Sequence, residues 1–443
     1  MRAYAALAAV LTSVAVTSCA PAMAPVETQV IDDIRTGTGA SPRFGAPAPG
    51  VPPGVRLEDG LSREDAVAVA LWNNAAFQVH VTELGFARAD LVEAGMISNP
   101  VLALLLPVGP KQLEAAVRWP LEMLWERPRR VEAATHALES SAHGLVQTGL
   151  DLALAVRVAF ADLALATDRQ TLAEESAATL ERIDKFTQSR LAAGDIAELD
   201  ARAARVDATR SVQEVERAGH DVTVARERLR LLLGLTAEDG ALSKLERTEG
   251  PEKCGTTREL LIRALAARPD VRAAELAIDA AAARLGWEES KVLQFTAVLD
   301  ANGQRPGGFE WGPGLEVFIP IFSRNQGPQL RAETELTRAS AFYVQLQQQV
   351  GLDLREAMAQ FEQASQSRVT WSSRIVAPLQ ANVADAEKLF AAGESTYLVV
   401  LENARRLIDA RLRAQEFAAD RERARARVER AAGMACPVPG GTS

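Results

Sequence analysis

The sequence predicts a mainly α-helical chain with a small β part, built from two copies of one plan. The short polar break "RLAAGDIAEL" at 190–199 returns as "LFAAGESTYL" at 389–398. The stretches on either side of each break are rich in Ala, Arg, Glu and Leu and poor in Pro, which favours long helices. One shorter apolar segment in each half alternates with period two, which indicates a strand.

The N-terminus resembles a bacterial lipoprotein signal. One Arg precedes an apolar run that ends at about Val16, which is too short to be a permanent membrane span. The following "VTSC" places Cys19 where cleavage is expected, so Cys19 is the expected lipid attachment site. The alternative is an ordinary secretory signal with an unrelated Cys. Pro- and Gly-rich sequence follows as far as Val55 and predicts an extended surface segment.

The duplication sets the expected boundaries along the chain. Gly194 pairs with Gly393, and Gly234 pairs with Gly433, each 199 residues apart. Upstream, "ALWNN" pairs with "ALAARPDV", and "WPLEMLWERP" pairs with "IPIFSRNQGP". The expected segments are a signal peptide (1–18), the lipidated Cys with an extended linker (19–60), a first repeat (61–234), an inter-repeat linker (235–256), a second repeat (257–433) and a C-terminal tail (434–443).

Each repeat is expected to contain one helix, a β-hairpin and a long antiparallel helical hairpin. Ser62 with Asp65 three residues on resembles an N-cap and predicts the start of the first helix. Pro378 should kink the fifth of the six expected helices. Gly194 and Gly393 should end helices in the left-handed conformation. A seam of Ile196, Leu199, Ala203 and Val206 indicates a coiled coil. The expected helices are 62–98, 128–190, 196–233, 257–293, 328–389 and 397–431.

Two β-hairpins are expected between the helices. In "LEAAVRWPL" the apolar residues from Leu113 to Leu121 alternate with Glu114 and Arg118, and "GLEVFIPIF" (314–322) alternates in the same way. Strand candidates at 101–108 and 295–302 precede them, joined by a short turn and by a longer loop, "GQRPGGFEWGP". Two strands are not stable alone, so the hairpins should meet each other or further copies in a shared barrel.

This order of motifs resembles the TolC family of outer-membrane efflux channels, in particular its lipidated branch, from about Leu61 to Gly433. The resemblance implies a homotrimer with a periplasmic α-barrel and a shared twelve-stranded transmembrane β-barrel. It implies a passive conduit without cofactor, anchored in outer-membrane lipid, whose partners are a periplasmic adaptor protein and an inner-membrane transporter. The alternative is a lipid-anchored periplasmic coiled-coil scaffold or adaptor without a pore.

The resemblance also implies roles for residues at the two helical tips. The adaptor-docking residues would be Ala193, Gly194, Asp195, Ala392, Gly393 and Glu394. Asp200 and Glu402 match the family's ring of carboxylates at the periplasmic constriction, whereas Val399 departs from that pattern. The alternative is that Asp200 and Glu402 are solvated helix charges. Cys254 and Cys436, each just after a repeat's last Gly, are expected either to form a disulfide or to remain free thiols.

Composition and motifs argue against other classes of function. The net charge of −9 argues against a nucleic-acid partner. The sequence lacks GxSxG, HExxH and a phosphate-binding Gly loop, so no enzyme is predicted. No metal site is predicted either, because the four histidines form no ligand set with cysteine; they are His80, His136, His143 and His220. The transported substrate is left open.

Overall fold

The computed structural model describes residues 26–45, 50–56, 60–106, 113–235, 242, 244–247, 250–304, 308–392 and 394–436. The elements of the first half are α1 (Val26–Thr38), α2 (Arg63–Asn73), α3 (Ala75–Gly95), β1 (Val101–Leu105), β2 (Glu114–Pro120), α4 (Met123–Ala192) and α5 (Glu198–Leu233). Those of the second half are α6 (Thr257–Ala267), α7 (Pro269–Ser290), β3 (Gln294–Gln304), β4 (Gly308–Phe318), α8 (Gln326–Thr370), a π-helical turn (Trp371–Val376), α9 (Ala377–Ala391) and α10 (Tyr397–Ala432). The mainly helical class with a small β part is confirmed.

The described residues fall into two compact units. The first contains 26–29, Thr82–Gly144 and Asp270–Gln345, and the second contains Val30–Val81, Leu145–Pro269 and the chain from Leu346 onward. The four strands lie in the first unit and form one antiparallel sheet in the order β1-β2-β3-β4. Both helical tips lie in the second unit.

The first expected helix is divided in both repeats. Ser62 accepts a hydrogen bond from the backbone of Asp65, as predicted, and Thr256 with Glu259 forms the equivalent capping box in the second repeat. The expected single helices 62–98 and 257–293 are wrong, because breaks at Asn74 and Arg268 separate α2 from α3 and α6 from α7. These breaks occupy the same position in the two repeats.

The break residues close the ends of the long helices in the second unit. Asn74 donates a side-chain hydrogen bond to the carbonyl of Leu232 in α5, and Arg268 donates one to the carbonyl of Ala431 in α10. Gly234 follows α5 at φ 65°, and a Cβ there would lie 2.5 Å from the Asn73 carbonyl oxygen. The duplicated glycine therefore provides both the left-handed turn and the close approach of two backbones.

The extended-linker prediction is wrong for its first part. Residues 26–38 form α1, in which Val30 and Ile34 are buried one helical turn apart, and Arg157 donates a hydrogen bond to the carbonyl of Thr38. The Pro- and Gly-rich stretch begins only after this helix. The i, i+4 spacing of Val30 and Ile34 is typical of a helix with one buried face, and this segment is helical although the linker was expected to be extended.

Two prolines take different places from those expected. The helix expected to begin at Pro128 begins at Met123, so Pro128 lies inside α4. Pro378 lies in the first turn of α9, directly after the π-helical turn. A proline cannot donate a backbone hydrogen bond. The wider π-helical turn before Pro378 accommodates the missing bond without ending the helix.

The second β-hairpin is longer than predicted. The segment expected to be a loop from Gly303 to Pro313 is largely strand, because β3 and β4 pair from Gln294 with Phe318 to Gln304 with Gly308. Ile319 and Ile321, expected within the strand, follow its end. The turn expected in the first hairpin lies outside the described residues.

Candidate channel elements

One face of the sheet is apolar across all four strands. Residues paired across antiparallel strands lie on the same face, and every second residue along a strand joins them. The strand register places thirteen apolar side chains on this face, from Leu102 in β1 to Val317 in β4. We call them the apolar face: Leu102, Leu104, Ala115, Val117, Trp119, Phe295, Ala297, Leu299, Ala301, Trp311, Pro313, Leu315 and Val317. The large aliphatic side chains and both tryptophans among them are exposed in the chain.

The opposite face of the sheet carries the charged residues, together with the apolar side chains of Val101, Leu105, Val298 and Phe318. Every charged residue of the four strands lies on it: Glu114, Arg118, Asp300, Glu310 and Glu316. Arg118 and Glu316 form an ion pair there at 3.1 Å. A sheet with an exposed apolar face and a charged opposite face separates an apolar environment from an aqueous one.

The first helical tip is closed by backbone hydrogen bonds. Gly194 follows α4 at φ 81°, its N–H binds the carbonyl of Leu191, and the N–H of Asp195 binds the carbonyl of Arg190. This pair of bonds is a Schellman cap. Ala193, Gly194 and Asp195 are all exposed. The first tip therefore presents its predicted docking residues to solvent.

The second helical tip repeats one of these two hydrogen bonds. The N–H of Glu394 binds the carbonyl of Leu389, the equivalents of Asp195 and Arg190. Ala392 and Glu394 are exposed, whereas Gly393 lies outside the described residues. The repeated short sequence thus marks the same helix ending in both repeats.

Two contacts near the tips were not predicted from the sequence. The rings of Phe186 in α4 and Phe390 in α9 meet edge to face with centroids 5.0 Å apart, and the Arg190 guanidinium lies 5.5 Å from both centroids. Farther along, Arg405 in α10 forms an ion pair with Asp207 in α5 at 2.6 Å. Aromatic residues make up only 5% of the sequence, and this scarcity is a signal that could have drawn attention to the two phenylalanines.

The two predicted gate carboxylates lie on different helices. Asp200 is half-buried in the first turn of α5. Glu402 is exposed in the second turn of α10 and forms an ion pair with Arg406 at 2.8 Å. No hydrogen bond or ion pair joins Asp200 to Glu402 within the described residues.

Helix α5 carries two apolar stripes, and the predicted seam identified the exposed one. Leu199 and Val206 of that seam are 74% and 65% exposed. The buried stripe instead consists of Ala201, Ala204, Ser211, Ala218, Val222, Ala225, Leu229 and Leu233. At 100° per residue, Leu199, Val206, Val224 and Leu231 fall within a stripe about 40° wide on nearly the opposite side. Leu199 and Val206 of the predicted seam are therefore not part of the chain's own core.

A buried carboxylate surrounded by arginines lies in the second unit and was also not predicted. The side chain of Glu429 is 2% exposed. Its carboxylate forms ion pairs with Arg63 and Arg157 at 3.0 Å and with Arg425 at 3.2 Å. Burial raises the pKa of Glu429, but the three guanidinium groups together outweigh it, so this pKa lies below its ordinary 4.5. Burial lowers the pKa of Arg157. Charges on a helix usually face solvent, so the sequence offered no signal.

The two cysteines that follow the ends of the repeats are joined. Cys254 and Cys436 form a disulfide with their Cα atoms 4.9 Å apart, packed against Leu354, Phe361 and Val428. Cys19 lies outside the described residues. In the described part of the chain, no helix combines the length and hydropathy needed to cross a bilayer. The same residues contain no group of His, Cys, Asp and Glu arranged to hold a metal ion.

An amphipathic sheet combined with two capped helical hairpins fits a membrane channel protein. Comparison with known proteins agrees. The family model for outer membrane efflux proteins matches residues 109–235. The cobalt-zinc-cadmium resistance protein CzcC of Cupriavidus metallidurans is 27% identical over 388 residues, covering 85% of this chain and 89% of CzcC.

Solved structures share the fold. A membrane protein from Pseudomonas aeruginosa superposes with a TM-score of 0.71 at 20% identity, covering 88% of this chain and 99% of that one. The MtrE outer membrane channel of Neisseria gonorrhoeae, solved in its open state, gives 0.68 at 17% identity, covering 89% and 97%. The resemblance drawn from the sequence is confirmed: the chain is similar in sequence and in fold to outer membrane efflux proteins of the TolC family. It is an outer-membrane efflux channel component, and proteins of this family conduct substrates rather than transform them.

Proposed function

We propose that three copies of this chain form a passive conduit from the periplasm to the outside, anchored by lipid on Cys19. Each chain would contribute its four strands to a twelve-stranded barrel and its long helices to a periplasmic α-barrel. A periplasmic adaptor and an inner-membrane transporter would complete the tripartite system. The apolar face of the sheet supports this proposal most directly.

The apolar face fits contact with lipid. Eleven residues in each of β3 and β4 rise about 36 Å, or about 28 Å along the membrane normal at a tilt of about 40°. This exceeds the apolar band of about 25 Å in outer-membrane barrels. The strands β1 and β2, with five and seven residues, are shorter. The charged face, with Arg118 and Glu316, would then line the water-filled interior.

The exposed stripe of α5 supports self-association. Leu199, Val206, Val224 and Leu231 are exposed although they lie on one side of a long helix. Their spacing matches a helix-packing seam, and the chain's own core is built on the other side of α5. A neighbouring copy would cover this stripe in the trimer.

Placing a positive charge on the apolar face tests the lipid-facing role. Leu299→Arg, at the centre of β3, is expected to disfavour membrane insertion by about 2–4 kcal/mol. The folded protein recovered from outer membranes should fall accordingly. Asn302→Arg adds the same charge to the same strand on the charged face and should leave recovery near the wild-type level. Equal recovery of the two variants would rule out lipid contact by this face.

The tips would dock the adaptor through Ala193, Gly194 and Asp195 and through Ala392, Gly393 and Glu394. The described members of both sets are exposed, and the backbone hydrogen bond from Asp195 to Arg190 has its equivalent from Glu394 to Leu389. Site-specific photocrosslinking from position 193 to the cognate adaptor tests this assignment. Crosslinks only from positions away from the tips would contradict it.

Asp200 and Glu402 would form the periplasmic constriction, three of each per trimer. Because a ring of carboxylates attracts cations, Asp200→Asn is expected to reduce cation selectivity severalfold in planar-bilayer recordings. Glu402→Gln should have a smaller effect because Arg406 already partly neutralises Glu402. Glu198→Gln is the matched control, since Glu198 lies in the same helical turn but about 200° around α5. Equal effects at positions 198 and 200 would refute the gate assignment.

Electron microscopy of the detergent-extracted full-length protein distinguishes the conduit from the alternative scaffold. A threefold particle with a continuous lumen supports the conduit. Monomers or thin rods without a lumen, at high protein concentration in gentle detergent, would support a lipid-anchored scaffold or adaptor instead.

Divalent metal cations are the cargo that the comparisons favour. The supporting observation is the similarity to CzcC, whose name assigns it to cobalt, zinc and cadmium resistance. Deleting the gene should lower the host's tolerance to Zn²⁺, Co²⁺ and Cd²⁺, and the intact gene should restore it. Unchanged metal tolerance with lost tolerance to organic compounds would contradict a metal cargo.

A further inference from the structure

The four-stranded sheet has two edge strands, β1 and β4. Each of them pairs with one neighbour among the described strands, so the other side of its backbone presents N–H and C=O groups that a further strand could bond. The strand register and two backbone hydrogen bonds together determine which residues present these groups. The two edges can therefore be compared residue by residue.

Hydrogen bonds between β2 and β3 fix the direction of the backbone groups in all four strands. The N–H of Leu121 donates to the carbonyl of Phe295, and the N–H of Gly303 donates to the carbonyl of Leu113. Successive residues of a strand direct their N–H and C=O to opposite sides. Odd-numbered residues of β2 and β3 therefore bond each other, and even-numbered residues bond the edge strands. By the register, the residues that point away from the sheet are even-numbered in β1 and odd-numbered in β4.

The free edge of β4 is interrupted at one residue. Its outward-pointing residues include Pro313, Leu315 and Val317, whereas those of β1 are Leu102 and Leu104. Proline has no N–H and is tolerated in a sheet where its nitrogen faces a free edge, as it does here. The part of β4 between this proline and the end of the strand is five residues long, and so is β1.

We propose that β1 of a second copy pairs antiparallel with this part of β4, so that Leu104 bonds Leu315, Leu102 bonds Val317, and Pro313 marks the end of the ladder. The inference rests on the proposed trimer and specifies how its barrel closes between copies. All four bonded residues belong to the apolar face. That face would therefore continue without a break from one copy to the next.

The proposed pairing also supplies the stagger that a closed barrel requires. Within one chain, the register places Val101 level with Gly314 across the four strands. The proposed pairing places Val101 of the second copy opposite Phe318, which lies four residues farther along β4. Repeated around three copies, this stagger corresponds to a strand tilt of about 35°. Membrane barrels have tilts of about 35–45°.

Other registers that keep the apolar face continuous fit less well. A stagger two residues smaller sets Leu104 opposite Pro313, and no stagger sets Leu102 opposite it, so either register loses a donor. A stagger two residues larger sets Leu102 opposite Ile319, which follows the end of β4 and whose carbonyl already accepts the N–H of Ile321 at 2.9 Å. In the opposite direction, two residues give a tilt of only about 20°, and four set Leu104 beyond the start of β4.

Cysteine crosslinking in isolated outer membranes tests the register. Ala103→Cys is combined in turn with Gly312→Cys, Gly314→Cys, Glu316→Cys or Phe318→Cys, all on the charged face of the sheet. In the proposed register Ala103 lies opposite Glu316 with the Cα atoms about 4.5 Å apart, whereas positions 314 and 318 are about 7–8 Å away. Because a disulfide needs Cα atoms within about 7 Å, oxidation should link two copies through position 316 about tenfold more than through the others.

The outcomes of this scan separate the register from the barrel. A crosslink within one chain is excluded, because two strands lie between β1 and β4 and hold them about 14 Å apart. Strongest crosslinking through position 312, 314 or 318 would overturn the register and leave the shared barrel standing. Absence of crosslinks from every pair in folded, membrane-inserted protein would overturn the register and the shared barrel together.

A matched pair of proline substitutions tests the same ladder without cysteines. Leu315→Pro removes an outward-pointing donor inside the proposed ladder and should lower the temperature at which the purified trimer dissociates. Trp311→Pro makes the corresponding change on the same edge, on the far side of Pro313, and should leave that temperature unchanged. Both residues point away from β3, so the bonds of the chain's own sheet are kept. Equal effects, or a larger effect at position 311, would overturn the proposal.

Discussion

Replacing Glu429 by Gln is expected to lower the free energy of unfolding by about 3–5 kcal/mol, because three buried guanidinium groups would lose their shared counter-charge. The substitution keeps the shape of the side chain, so the effect reports charge rather than packing. The shift in the thermal unfolding midpoint of the purified protein measures it. Glu416→Gln is the control, since Glu416 lies on the same helix and pairs with Arg169 at 2.7 Å where both side chains are partly exposed. It should cost at most about 1 kcal/mol.

The same carboxylate predicts a pH dependence of stability. Since the pKa of Glu429 is lower in the folded chain than its ordinary 4.5, the folded state favours the ionised form. Its stabilising contribution is fully present above that ordinary pKa and is lost as the pH falls through the lower folded pKa. Unfolding midpoints of the wild type should therefore fall below pH 4.5 more steeply than those of the Glu429→Gln variant. Parallel profiles for the two proteins would contradict the assigned role.

Removing the disulfide should have a comparable effect. The bond between Cys254 and Cys436 spans 182 residues of sequence, and closing a loop of that length restricts the unfolded chain by about 5 kcal/mol in the chain-entropy model. The double variant Cys254→Ser with Cys436→Ser should unfold at a markedly lower temperature than the wild type. Reductant added during unfolding should lower the wild-type midpoint and leave that of the double variant unchanged.

Mass analysis provides the independent check. Under non-reducing denaturing conditions, neither Cys254 nor Cys436 should react with an alkylating reagent. Alkylation of both in the freshly purified protein would show free thiols, and the predicted loss of stability would then not apply. Each single Cys→Ser variant should match the double variant, because either substitution removes the bond.

Duplicated local signals were the most predictive part of the sequence. The tip glycine Gly194 and the end of α5 at Gly234 were identified because the left-handed conformation favours Gly, and the cap at Ser62 because its short side chain accepts a hydrogen bond from the first helical turn. Such requirements are local, so they are visible in a short stretch of sequence. The same reasoning located both helical hairpins without any knowledge of packing.

Features that depend on distant partners were harder to predict. The arginines around Glu429 come from helices α2, α4 and α10, and each alone looks like a solvated surface charge. Helix α5 has two apolar stripes, and periodicity alone does not say which one the chain buries. The helix at 26–38 was missed because the Pro-rich sequence after it dominated the interpretation of the whole linker.

The contact of Arg190 with the rings of Phe186 and Phe390 constrains how the tip ends of the two helical hairpins move. Swinging one hairpin away from the other would separate two rings and a shared cation, each interaction worth about 0.5–1.5 kcal/mol, and would also break the Arg405–Asp207 pair. These contacts favour movement of the two tips of one chain together, as one rigid body. A partner that grips either tip would then transmit its force to both, so an opening motion would proceed by whole chains and not helix by helix.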